Sequence, residues 1–382
     1  MKQIFCLSDA WQNISKTEEL IPFGVGRIGR RVIPTLMKEF NIPFLIDNGE
    51  RESEAYSRKI MSLEKAKDYL LSHECKIVVT TVNGAYIAIK EQLEQIGLKE
   101  NIDFCLFERF VLEWNLRWAN KCVLSKIDTV ITTKCTLRCQ HCNMFISCMD
   151  KHEDITVEEL KGNFDVFFKS VDYVYEYTLL GGEPFLHSEI GEIIKYLGEK
   201  YRENIGKINI ITNGTVVPSP ETLDVLQKYG VMVNISDYTK VIPYEKILKE
   251  VEKTFGDYGI DYYTIPNNVW KDVIYPRCEF HTDNPRKHMM LCGHGTHSVD
   301  YGKLYWCDPA FSAEKYLFFQ SKEDDSLDLE RNRETYSKYE ASLNIVRYIL
   351  GDVNERGYMT ICEKCAGIGW DNDKEVVAGV QK

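Results

Sequence analysis

The sequence has no apolar run long enough to cross a membrane, which takes about twenty consecutive apolar residues. Residues 1–20 lack an apolar core followed by a small-residue cleavage site, so no secretory signal is read there. Positive charge is in deficit: 47 Lys and Arg face 58 Asp and Glu, a formal net charge of -11. That balance argues against a nucleic-acid-binding surface. No internal repeat and no low-complexity linker interrupts the chain. The expectation is a soluble, cytoplasmic protein with no membrane and no nucleic acid among its partners. At 382 residues the length suggests two or three domains, and an apolar fraction of 44% is ordinary for a globular core.

What the chain does have is cysteine. Thirteen are present, an odd number, and they fall in clusters. In a chain with no secretory signal this favours metal binding over disulfides. Cys6, Cys75, Cys105 and Cys122 are scattered through the first third and read as small buried hydrophobes. Cys148 reads as a bystander. The densest cluster is Cys135-Thr136-Leu137-Arg138-Cys139-Gln140-His141-Cys142. Thiolates are soft ligands that suit iron–sulfur clusters and zinc. Three of them leave one of four metal positions open, and an open position usually means chemistry. The alternative is a structural zinc knuckle with His141 as fourth ligand.

The loop resembles the signature of the radical S-adenosylmethionine enzymes. The resemblance implies that Cys135, Cys139 and Cys142 hold a 4Fe–4S cluster whose fourth iron is chelated by S-adenosylmethionine. The position before the third cysteine is commonly aromatic in that family; here it is His141, whose flat ring could lie near the adenine. An external electron donor such as a flavodoxin or ferredoxin is implied.

Upstream, residues 20–26 read as a strand entering a glycine turn, 27–40 as a helix, and 42–47 as a second strand. Gly24, Gly26 and Gly29 make a GxGxxG pattern, and Asp47 ends the next strand about twenty residues on. Glycines let backbone approach a phosphate, and a helix N-terminus favours its charge. Further units follow at 62–73, 76–81, 84–97 and 103–107. Residues 1–118 are therefore expected to form a Rossmann-like nucleotide-binding-like domain. NAD, another phosphate-bearing ligand, or no ligand at all remain open for it.

From 119 to 275, strands at 126–132, 173–180, 207–211, 231–236 and 259–264 alternate with helices. Strand–helix alternation implies parallel strands with crossover helices. The fold class is α/β, with a partial (β/α)6 TIM-type barrel in this segment. Ligand sites in such barrels lie at the C-terminal strand ends, where the motifs fall. Gly181-Gly182-Glu183-Pro184 follows the second strand and matches the family's GGEP motif, which binds the amino group of S-adenosylmethionine; a plain glycine turn is the alternative. Thr212 and Asn213 follow the third strand and could reach the ribose. By resemblance Ser236 contacts the ribose or the methionine carboxylate. Asp237 could face the substrate or be a solvated loop acid.

Residues 276–382 hold Cys292, Cys307, Cys362 and Cys365, with Gly302 marking a turn. Two ligands on a hairpin and two on a CxxC make a closed four-thiolate site. This resembles the twitch form of the SPASM extension and implies one auxiliary 4Fe–4S cluster; a zinc ribbon is the alternative. Cys278 is left over as an alternative ligand, a hydrogen-atom donor to a substrate radical, or a core thiol. Residues 322–335 are highly charged and read as a solvated loop leading into a helix at 335–350.

The resemblance implies radical chemistry that oxidises or epimerises a small-molecule substrate, a sugar, cyclitol or nucleotide sugar. Two alternatives stand beside it: modification of a ribosomally made peptide or protein side chain, and a zinc-stabilised binding protein with no catalysis.

Overall fold

The computed structural model describes residues 5–14, 18–49, 54–81, 83–292, 296–369 and 371–382. The chain divides into two compact units, Met1–Ser125 and Lys126–Lys382.

The first unit contains β1 (Glu19–Phe23), α1 (Arg27–Glu39), β2 (Leu45–Ile46), β3 (Glu54–Ala55), β4 (Arg58–Met61), α2 (Leu63–Ser72), β5 (Cys75–Val79), α3 (Asn83–Gln95) and β6 (Phe104–Leu106). A short α4 (Phe107–Arg109) runs on into a π-helical stretch, Phe110–Ala119. The sheet order is β3-β4-β2-β1-β5-β6. Its pairs are parallel except β3–β4. Ile21 and Phe23 of β1, Ile77 and Val79 of β5, and Phe104 of β6 share one buried cluster with Leu63, Ala66 and Leu70 of α2. Near-continuous apolar strands are what a parallel sheet covered on both faces demands. Each such large side chain, fully buried, contributes about 1.5–3 kcal/mol. Gly24 has a φ of +115°, which only glycine adopts freely. A Cβ on Gly29 would fall well inside contact distance of the Gly24 carbonyl oxygen.

The second unit begins within β7 (Val123–Thr132). It continues through α5 (Val157–Ser170), β8 (Tyr173–Gly181), α6 (Ile190–Lys200), β9 (Ile205–Thr212), α7 (Pro220–Lys228), β10 (Met232–Asp237), α8 (Glu245–Asp257) and β11 (Asp261–Pro266). Next come β12 (Val269–Lys271), α9 (Pro285–Leu291), β13 (Ser298–Asp300), β14 (Lys303–Tyr305), α10 (Asp308–Tyr316), β15 (Ser326–Asp328), α11 (Leu329–Thr335), α12 (Lys338–Ile349) and β16 (Glu375–Val377).

The helices start where side-chain oxygens can take orphan amides. Thr156 with Glu159 and Ser337 with Glu340 form capping boxes, and Ser219 caps α7. On α5, Leu160, Phe164 and Phe167 recur at helical spacing and are buried. Phe164 and Phe167 meet the Tyr177 ring of β8 edge-on, at centroid distances of 5.6 and 5.5 Å. One sheet runs β11-β10-β9-β8-β7-β13-β14-β15. Strands β8 to β11 pair in parallel, in chain order. β13 then joins β7 in parallel, and β13, β14 and β15 form an antiparallel meander. After β11 the chain leaves this sheet, and β12 pairs with β16 in a separate two-stranded ladder.

Two local expectations change. The charged segment 322–335 is not a loop: β15 pairs with β14, and α11 follows it. Leu329 and Asn332 are buried inward-facing positions that a count of charges overlooks. The helix expected from 335 begins instead at Lys338, after the Ser337 cap.

Gly29→Ala should lower the stability of the first unit by at least about 1–3 kcal/mol, because the overlap is with backbone that cannot yield. Gly26→Ala, where a Cβ meets nothing within 4 Å, should change it by no more than about 0.5 kcal/mol. Denaturant unfolding of the two variants side by side checks this.

Candidate functional site

The end of β7 leads directly into the three-cysteine loop, and the end of β8 packs against that junction without intervening side chains. Gly182 N donates to Thr132 O at 2.8 Å, and Glu183 N donates to Lys134 O at 2.7 Å. A Cβ on Gly181 would collide with the Thr132 carbonyl, and one on Gly182 with the Lys134 carbonyl. The two glycines are thus required by close backbone approach.

Cys135, Cys139 and Cys142 line one cavity of ≈ 480 Å³. His141, Gly181, Gly182, Thr212, Asn213 and Ser236 line it with them. Sequence-predicted residues from the loop and from the ends of β8, β9 and β10 therefore converge on a single space. Burial raises all three thiols above the ordinary range, Cys135 to about 12 and Cys142 to about 11. Such thiols keep their protons until a metal replaces them. Asn213 Nδ2 lies 3.6 Å from Cys135 Sγ, and Leu137 N donates to the same sulfur at 3.4 Å. His141 Nδ1 stands 3.2 Å from Asp272 Oδ2, which orients its ring.

Cys292, Cys307, Cys362 and Cys365 also come together. Each of Cys307, Cys362 and Cys365 is raised by burial first and then by neighbouring thiols of this set. Cys307 N-caps α10, Cys292 closes α9, and Cys362 and Cys365 flank the end of a 3-10 turn at Thr360–Glu363. Gly302 and Tyr301 both have positive φ, in the tight turn joining β13 to β14. Among the described residues, no group of three or more His, Cys, Asp or Glu side chains is arranged to hold a single metal ion.

Glu183 and Pro184 lie beneath the cavity rather than in its wall. Glu183 is 0% exposed. Its Oε1 accepts from Thr212 Oγ1 at 2.8 Å and Phe185 N at 3.1 Å, and its Oε2 accepts from Asn213 N at 2.8 Å. The carboxylate is a clamp between the ends of β8 and β9. Burial pushes it up to about 7 despite these donors. The two catalytic candidates stand outside the cavity wall. Asp237 Oδ1 accepts from Thr239 N at 2.7 Å in a local turn, and Cys278 is exposed. Strand alternation explains Asp237: its neighbours Ser236 and Tyr238 line the cavity, so Asp237 faces the other way.

The first unit carries the glycine loop. Asp47 Oδ2 accepts from Val25 N at 2.7 Å, and its Oδ1 from Gly49 N at 2.8 Å. Each oxygen accepts from a backbone amide, so Asp47 fastens the turn that follows Gly24.

Among the lining residues that carry no motif are Asp128, Asp308, Lys271, Tyr238, Asn267 and Trp270. Tyr238 and Trp270 meet edge-on at 5.4 Å and give the cavity an aromatic wall. A further residue, Gln381, reaches the loop from far along the chain and donates to Cys139 Sγ at 3.4 Å.

Because folding raises the Glu183 pKa, the native state holds a proton that the unfolded chain has released between about 4.5 and about 7. Its stabilising contribution is full below that window and is lost as pH rises through it. The difference in unfolding free energy between wild type and Glu183→Gln should therefore shift in favour of Gln from pH 4.5 to 7 and level off above. Parallel denaturant titrations at several pH values measure this.

Comparison with known proteins agrees with the geometry. Residues 129–264 match the Radical SAM superfamily. The antilisterial bacteriocin subtilosin biosynthesis protein AlbA of Bacillus subtilis (strain 168) is 32% identical over 108 residues, which is 28% of this chain and 22% of that protein. The chain thus spans about a fifth of the length of that curated relative. Among solved structures, BtrN in complex with AdoMet and 2-DOIA aligns over 65% of this chain and 96% of its own, at 12% identity and a TM-score of 0.40. Native anSMEcpe with bound AdoMet and Cp18Cys peptide aligns over 37% of this chain and 42% of its own, at 16% identity and a TM-score of 0.30. No helix among the described residues is long and apolar enough to cross a membrane. With the three-cysteine loop at the strand ends and the superfamily match across β7 to β11, this chain carries a radical SAM domain.

Proposed function

We propose that the chain is a radical S-adenosylmethionine enzyme that abstracts a hydrogen atom from a sugar, cyclitol or nucleotide sugar, leading to oxidation or epimerisation. One observation carries the reading: the three loop thiols share a cavity with Gly181, Gly182, Thr212, Asn213 and Ser236. When bound, a 4Fe–4S cluster supplies the electron that splits the sulfonium of S-adenosylmethionine and so provides the 5′-deoxyadenosyl radical.

The chain's own residues have distinct tasks in this reading. Cys135, Cys139 and Cys142 ligate, and the backbone at Gly181 and Gly182 borders the methionine end. Glu183 fixes that turn by binding Thr212 Oγ1 and Asn213 N. Thr212, Asn213 and Ser236 offer polar atoms to the ribose, and the Tyr238, Trp270 and His141 rings offer flat faces to the adenine. Cys292, Cys307, Cys362 and Cys365 would hold an auxiliary 4Fe–4S cluster able to accept the second electron of an oxidation. A flavodoxin or ferredoxin would supply the first.

A second reading, modification of a ribosomally made peptide, is favoured by the 32% identity to a bacteriocin biosynthesis protein. It ranks second because the first unit is a parallel α/β sheet rather than a small winged-helix module that would grip a leader peptide.

Anaerobic reconstitution should give about eight irons per chain. Replacing Cys135, Cys139 and Cys142 together by Ala should leave about four and abolish release of 5′-deoxyadenosine. Zinc at one or two per chain with little iron would overturn the reading. Transfer of deuterium into 5′-deoxyadenosine from labelled sugars or cyclitols, against labelled peptides, separates the two substrate classes.

A further inference from the structure

We propose that Gln381 is a positioning residue for the cluster of the three-cysteine loop: its side-chain amide donates to the sulfur of Cys139 and makes that cluster easier to reduce. The proposal rests on the reading of Cys135, Cys139 and Cys142 as cluster ligands, and it holds for either substrate class.

The two residues are 242 positions apart in the chain. β16 pairs with β12, and Ala378 N then donates to Asn268 O at 3.0 Å. The chain turns at Gly379, whose φ is +79°. Glycine adopts that conformation without strain, and a Cβ there would meet Tyr238 at 3.1 Å. Residues 380–382 emerge from the turn antiparallel to 138–140. Gln140 N donates to Val380 O at 2.8 Å, and Lys382 N donates to Arg138 O at 2.8 Å. Gln140 Nε2 donates to Gln381 O at 2.9 Å, and Lys382 Nζ donates to Ser147 O at 3.1 Å. These bonds dock the segment without using the Gln381 side chain.

That side chain is engaged at both ends. Its Oε1 accepts from Arg138 N at 2.6 Å. Its Nε2 donates to Gly379 O at 2.6 Å and to Cys139 Sγ at 3.4 Å. A primary amide has two N–H donors, so both bonds can form together. With the oxygen held by Arg138 and one N–H by Gly379, the remaining N–H is left to the sulfur. The other two loop sulfurs take donors from the loop and the turn after it. Leu137 N donates to Cys135 Sγ at 3.4 Å, and the Met144 and Ile146 amides hydrogen-bond Cys142. For Cys139, Gln381 supplies from far along the chain what local backbone supplies to its neighbours.

Reduction adds negative charge that the ligating sulfurs share. An N–H aimed at such a sulfur stabilises the more negative, reduced cluster and raises its potential. A loop cluster tuned in this way takes its electron more readily from the external donor that the reading requires.

The test is potentiometric titration of the anaerobically reconstituted protein, followed by electron paramagnetic resonance. The signal that changes on adding S-adenosylmethionine belongs to the loop cluster, and the other cluster serves as an internal reference. At the potential that half-reduces the wild-type loop cluster, its reduced-to-oxidised ratio should fall at least about threefold in Gln381→Ala. It should fall further in Gln381→Glu at about pH 8, which keeps an acceptor for Arg138 N but turns a carboxylate oxygen toward the sulfur. The reference cluster should be unchanged in both. An unchanged ratio in either variant overturns the tuning role, and so does an equal fall in both clusters. Loss of iron from Gln381→Ala overturns it as well, since the side chain would then be holding the loop together. A wild type with no cluster signal that responds to S-adenosylmethionine instead overturns the underlying reading, so the two failures are distinct.

Discussion

The second unit depends on one close approach of backbone to backbone, where the end of β8 lies against the start of the cysteine loop. Gly181 and Gly182 have no room for a Cβ beside the Thr132 and Lys134 carbonyls. Two amide-to-carbonyl bonds, Gly182 to Thr132 and Glu183 to Lys134, hold the contact. The approach draws the loop across the C-terminal strand ends instead of letting it project into solvent. It also tucks Glu183 beneath the floor, where its carboxylate joins β8 to β9. The cavity wall is what remains above that floor.

Burial then sets the chemistry of the site. The loop thiols are raised by desolvation rather than activated by neighbouring cations. A soft metal that displaces their protons is the natural way to make such sulfurs useful. The same effect acts on Asp128 and Asp308, whose carboxyls burial also pushes up. Asp128 and Asp308 are carboxyls kept from water with one lysine between them.

Parts of this were legible in the chain and parts were not. The CxxxCxxC loop, the GGEP turn and the Thr212-Asn213 and Ser236 strand ends are short-range patterns, and each proved to border one cavity. The glycine pattern in the first unit was legible as a turn, and Gly29 does permit the close helix–strand packing such a glycine allows. Its acid, Asp47, proved to be engaged by backbone amides, which no spacing rule reveals. Asp237 was read either as a possible substrate contact or as a solvated loop acid, because a strand end specifies a position but not a direction. The alternation along β10 turns Ser236 and Tyr238 to the cavity and Asp237 away.

By itself the sequence determined which residues could be ligands, the α/β alternation, and the sheet ends at which they gather. All of these are local: cysteine spacing, apolar periodicity and glycine turns act within a few residues of chain. Only the tertiary structure decided that Asp308 lies near Asp128, and that Gln381 bonds the sulfur of Cys139. Those contacts join segments separated by most of the unit. They arise where β13 pairs with β7 and where residues 380–382 pair with the loop, and such pairing is selected by packing and hydrogen bonding over the whole unit rather than by any short stretch.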